Sequence, residues 1–136
     1  MRRTVLVFAL LVGALALVGA GCGSSGDDEE SATPTEAVAE IDEIKSMLDQ
    51  GLAQYRSGDA VAADTTVGDA YLEHFEKVEH PLEEQDHLLM ETLEHRISTE
   101  IRDKMKADAS ADEVAQLIDE TKADLDTART TLQEAE

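Results

Sequence analysis

Apolar residues recur every three or four positions along four stretches of this sequence, and that spacing commits the chain to helices. Ile41, Ile44, Leu48, Leu52 and Tyr55 share one helical face. Val67, Tyr71, Phe75 and Val78 share another, with Ala63 and Ala70 as small partners. Leu89, Leu93, Ile97, Ile101 and Met105 repeat at intervals of four, and Leu82 and Leu88 are placed to cover the start of that run. Val114, Leu117, Ile118, Leu125, Ala128 and Leu132 form the last stripe, with Thr121 expected on its flank. No Val/Ile/Thr-rich alternating segment reads as a strand. Four one-sided helices bury one another as an antiparallel four-helix bundle, so the expected fold class is all-α.

Local signals place the helix ends. Thr33-Pro34 reads as an N-cap followed by proline at the first helical position, with Glu36 at the third. Gly58 stops that helix and Asp59 caps the next. Pro81 marks a break or kink, because it lacks the amide donor a helix needs. Ser110 and Glu113 form a capping box for the last helix. Gly51 and Gly68 lie inside helical stretches. At Gly51 close packing and a simple loss of helix propensity are both open readings.

The first 21 residues belong to a different class. Met1-Arg2-Arg3 is a short positive start, Val5 to Val18 is almost wholly apolar, and small residues follow up to Cys22. That order is a secretory signal, too short and too rich in Gly and Ala for a permanent spanning helix. The two small residues before Cys22, and the polar run after it, resemble a bacterial lipoprotein processing site. The resemblance implies cleavage before Cys22 and lipid on its new amino terminus, although Gly19 stands where that pattern usually has Leu. The expected organisation is a signal peptide over 1–21, a lipidated Cys22 with an acidic tether over 22–33, and a helical domain over 34–136. The expected location is the extracytoplasmic face of a bacterial membrane, with lipid as the anchor.

Composition removes several functions. The 136 residues include 31 acidic and 11 basic side chains, a net charge of −20 that becomes −22 once Arg2 and Arg3 leave with the signal. Such a chain has nothing to neutralise a row of phosphates, so nucleic acid is not an expected partner. The single Cys excludes a disulfide framework. No nucleophile elbow, His-Glu-x-x-His or phosphate loop is present, and no enzymatic activity is expected.

The donors suited to metal chemistry gather in one segment. All four histidines lie between His74 and His95, among Glu73, Glu76, Glu79, Glu83, Glu84, Asp86, Glu91 and Glu94. His87, Glu91 and His95 are four apart and share a helical face, and Glu76 stands four before His80. Imidazole and carboxylate together suit iron, zinc, copper or manganese. Glu76, Glu79, His80, His87, Glu91, Glu94 and His95 are therefore the candidate metal ligands. The plainer reading is a solvated acidic surface that brings acids beside any histidine, with His74 at the core boundary. A di-iron bundle does not fit, because Glu84 to His87 is the sole Glu-x-x-His.

The stretch Gly68-Asp-Ala-Tyr-Leu-Glu-His-Phe-Glu-Lys-Val-Glu-His-Pro-Leu, followed by Asp86 and Leu-Met-Glu-Thr-Leu-Glu94, resembles the helical extracytoplasmic domain associated with high-affinity iron permeases. The Tyr55-Arg-Ser-Gly58-Asp59 turn is similar to that family's arrangement, and the likeness extends over residues 37–134. The resemblance implies that Ala70, Tyr71 and Phe75 pack, and that Glu76, Glu79 and Glu94 handle iron. The chain lacks the permease's membrane region and its Arg-Glu-x-x-Glu motif. It would be a detached accessory domain, with an iron permease or another envelope protein as partner.

Two function classes follow. One is a membrane-tethered module that binds or presents iron, or another divalent or trivalent cation, for uptake. The other is a structural or protein-interaction lipoprotein whose acidic surface serves solubility. A third reading is a sensor that responds when the histidines protonate between pH 5 and 8.

Overall fold

A computed structural model describes residues 32–135. The signal peptide, Cys22 and the tether up to residue 31 lie outside the described residues. Every regular element among the described residues is a helix, and there is no strand among them. Helix α1 spans Pro34–Arg56 and α2 spans Ala60–Asp69. A π-helical segment, Ala70–Phe75, leads into α3, Glu76–His95. A second π-helical segment, Arg96–Glu100, leads into α4, Ile101–Lys106, and α5 spans Ala111–Glu134.

The expected caps are in place. The Thr33 hydroxyl accepts from the Glu36 amide, and the Glu36 carboxylate accepts from the Thr33 amide at 2.8 Å. Ser110 and Glu113 repeat that exchange at the start of α5. Asp59 caps α2 through the Ala62 amide. Gly58 turns the chain between α1 and α2 at φ +89°, a left-handed conformation open to glycine without a Cβ clash. Gly51 serves close packing. A Cβ there would stand 2.9 Å from Val67 Cγ2, so its absence lets α1 and α2 approach.

The departure from helix geometry falls at Asp86, five residues after Pro81. Pro81 is buried within α3, next to the fully buried Leu82, and its ring is compatible with helical φ. Asp86 instead takes φ −149° and ψ 84°. Its Oδ1 accepts from the Leu89 amide at 3.0 Å and so caps the helical run that follows. The chain folds back there: Arg102 of α4 reaches Asp64 of α2, with Nε 2.8 Å from Oδ1.

The π-helical segments explain the sequence spacing. Twelve residues from Leu93 to Met105 would drift about 120° around a regular α-helix. One residue absorbed in a wider turn leaves about 20°, so Leu93, Ile97, Ile101 and Met105 all stay buried. They meet Phe75, Val78, Ile41, Ile44, Leu48, Ile118, Leu125 and Leu132 in one core. Thr121 is fully buried rather than flanking, with its hydroxyl donating to the Leu117 carbonyl at 2.7 Å. Met90, not Leu89, carries the buried stripe, and Leu88 is 74% exposed.

Antiparallel pairs stitch α1 to α5: Asp42 with Arg129, Lys45 with Asp126, and Asp49 with Lys122. Arg96 holds Asp124 of α5. At the far end of α1, the Tyr55 hydroxyl donates to the Ala109 carbonyl at 2.6 Å.

Candidate functional site

Glu79 is the acid that the fold treats differently. It sits in α3 beside the Phe75–Val78–Leu82 core face, and its Oε1 atom is buried without a hydrogen-bond partner. Burial pushes its carboxyl above the usual carboxylate range. The nearby Tyr71 phenol opposes that shift, and the charges of Glu94, Glu76 and Glu83 reinforce it. Tyr71 responds in turn. Burial, Glu79, and the charges of Glu94 and Glu76 push its phenol up to about 12. Tyr71 also packs on Phe75, with ring centroids 6.1 Å apart.

The π-helical segment Ala70–Phe75 makes this pairing. Tyr71 and Glu79 are eight residues apart, about 80° out of phase on a regular helix. Absorbing one residue in the wider turn brings them within about 20° of one face. Glu94 comes from the other side of the Asp86 reversal. The cluster is therefore Tyr71, Glu76, Glu79 and Glu94, with Glu83 adding charge from its edge. Sequence reasoning treated Tyr71 as packing alone, because the wider turn that re-aims it has no plain signature in the residues.

The histidines stay outside the cluster. His80 is exposed, with Nε2 3.8 Å from Glu84. His87 is exposed, with Nδ1 3.7 Å from Glu83 and Nε2 3.5 Å from Glu91, so its two nitrogens address different carboxylates. Glu91 and His95 are exposed on the outer face of α3. His74 is a boundary residue, as its place in the stripe implied. Its Nδ1 lies 2.6 Å from Glu40 Oε2, and Lys77 holds the other Glu40 oxygen at 3.0 Å. Burial works against the Glu40 charge, but bonds to His74 and Lys77 prevail and its carboxyl lies below the usual range. Among the described residues, no three His, Cys, Asp or Glu side chains are arranged to hold a metal ion. Cys22 lies outside the described residues.

The charge environment differs sharply along the chain. No Lys or Arg occurs between Lys77 and Arg96, while six acids do. Several basic residues outside that stretch are committed to other acids. Arg102 and Lys106 hold Asp64, and Lys45, Lys122 and Arg129 are taken by the α1–α5 pairs. Chemically, the cluster offers oxygen donors, one of them unsatisfied, and Lys77, the one Lys or Arg between Tyr71 and Glu94, is taken by Glu40. A proton or a hard cation neutralises such donors. No protein-family model, curated protein or solved structure matches the chain.

Proposed function

We propose that this chain is a non-catalytic lipoprotein domain, an antiparallel four-helix bundle reversing at Asp86, that binds or presents iron at the extracytoplasmic face of a membrane. The lipid on Cys22 would hold it there, near an iron permease or another envelope protein. The observation that carries the cation reading is the buried, unpartnered Oε1 of Glu79 amid Glu76, Glu83, Glu94 and the Tyr71 phenol. The likeness of the Tyr71-to-Glu94 stretch to permease-associated domains supports iron as the cargo.

The candidate set narrows accordingly. Glu79 stays as the leading ligand in this reading, with Glu76 and Glu94 as the charges beside it and Tyr71 as a neighbouring oxygen donor. His80, His87, Glu91 and His95 belong to the outer surface in this reading. The test is equilibrium titration with Fe(II) under anaerobic conditions and with chelated Fe(III) in air. Glu79→Gln should weaken saturable binding by at least about tenfold, a loss of about 1.4 kcal/mol. Unchanged affinity in that variant would remove the specific site.

A second reading keeps a specific observation of its own. The exposed His–Glu neighbours on α3, and the lack of a ready three-group metal arrangement among the described residues, suit an acidic surface that serves solubility or a basic partner. Binding no stronger than that of a scrambled acidic chain would favour it.

A further inference from the structure

Each side of the Asp86 reversal carries one wide turn. Ala70–Phe75 comes before it and Arg96–Glu100 after it, and the two segments are neighbours. A wide turn admits one more residue than a regular one, so it rotates the helix on one side of it by about 100° relative to the other. Without it Tyr71 and Glu79 would stand about 80° apart, so contacts on both sides have to hold the turn open. On the side toward Asp86 the core does this, through the fully buried Val78 and Leu93. On the side toward Gly58, a single side chain spans both limbs. Arg102 of α4 lays its guanidinium against Gly68 of α2, two residues before the first wide turn. A Cβ at Gly68 would stand 3.4 Å from Arg102 Cζ, so a methyl fits there and a longer side chain would displace the guanidinium.

All three guanidinium nitrogens are engaged. Nε donates to Asp64 Oδ1 at 2.8 Å and Nη2 to Oδ2 at 3.4 Å, a forked pair that is partly buried. Nη1 donates to the Ser98 carbonyl, inside the second wide turn, at 3.3 Å. The rigid fork therefore ties α2, just ahead of Ala70, to the second wide turn. Lys106 meets the same Asp64 carboxylate at 3.3 Å, but its single ammonium ties only that acid. From this geometry we propose that Arg102 is a positioning residue, which clamps the two wide turns together and so keeps Tyr71 turned toward Glu79. It acts through the backbone, since the glycine it covers lies three residues before Tyr71. The consequence for iron rests on the cation reading above; the clamp itself does not.

The experiment reads nuclear Overhauser contacts between the Tyr71 ring and the Glu79 side chain in the full-length protein, beside helical content by circular dichroism. Arg102→Lys leaves a positive charge for Asp64 but replaces the three-way fork by one ammonium. Arg102→Met removes both. The expected result is loss of the Tyr71–Glu79 contact in each variant with helical content retained, and a severalfold fall in iron affinity. Lys106→Met, which takes away the other cation at Asp64, should keep the contact. Where Arg102→Met also loses helix, Arg102→Lys decides alone. A contact that survives in Arg102→Lys, or that disappears equally in Lys106→Met, would overturn the positioning role and leave the wide turn to core packing. The two readings separate in the wild type. Protein that shows the contact but binds no iron, and loses the contact in Arg102→Lys, would remove the cation site and leave the clamp standing.

Discussion

The α1–α5 face and the segment from Glu76 to His95 carry the same kinds of acid and put them to opposite use. Along α1–α5, each of Asp42, Asp49 and Asp126 meets a Lys or Arg across the helix boundary. In the Glu76–His95 segment the acids meet one another, a phenol and surface histidines. A carboxylate that meets a base closes helices together, whereas one that meets only acids keeps a charge that the protein itself does not balance. Protonation therefore acts with opposite sign in the two settings. Glu40 and Asp64, held below the usual range by their basic partners, contribute stability above their unfolded values and lose it as pH falls through their folded values. Glu79 is raised, so its folded form binds the proton better. Its contribution is complete below the unfolded value and lost as pH rises through the folded value.

The comparison can be broken most forcefully at the core it shares. Phe75→Ala removes a fully buried core ring that supports Tyr71, and should cost about 3–5 kcal/mol in urea unfolding. Next comes Glu79→Gln. It should stabilise the protein at neutral pH and flatten the decline of stability above the usual glutamate range, leaving the acid-side loss from Glu40 and Asp64 intact. An unchanged pH profile would show that Glu79 is ordinary. The same variant should bring the Tyr71 phenol down from about 12, read by its ultraviolet ionisation beside a Tyr55→Phe control.

Smaller effects sharpen the other side. Lys122→Ala breaks one exposed pair to Asp49 and should cost about 0.2–1 kcal/mol at low salt, with the difference shrinking in molar salt. Replacing His80, His87 and His95 together by Gln should change stability least, within about 0.5 kcal/mol by thermal unfolding. A large loss there would mean that the histidines hold the reversal together.

The helical stripes, both capping boxes and the Gly58–Asp59 turn were legible in the residues, because each depends on spacing or on one side chain and its nearest amides. Two features were not. Pro81 is the stronger breaker by residue type, but its fixed φ matches that of a helix, while a short acid such as Asp86 can leave the helix and cap a new run. The partnership of Tyr71 with Glu79 depends on one residue absorbed in a π-helical turn, a shift set by tertiary packing of the stripes. The resemblance, rather than the spacing, singled out Glu76, Glu79 and Glu94, and the exposure of His80, His87 and His95 apart from Glu79 had no sign in the residues.

The central claim is that the unneutralised charge of this chain is focused on Glu79. Carboxyl-carbon NMR of the glutamate side chains, titrated with pH and then with chelated Fe(III), tests it most directly. The account predicts that Glu79 protonates at higher pH than the exposed glutamates, and that iron broadens Glu79, Glu76 and Glu94 before the acids of α1 and α5. Uniform broadening of every exposed carboxylate, with Glu79 titrating among the rest, would contradict it.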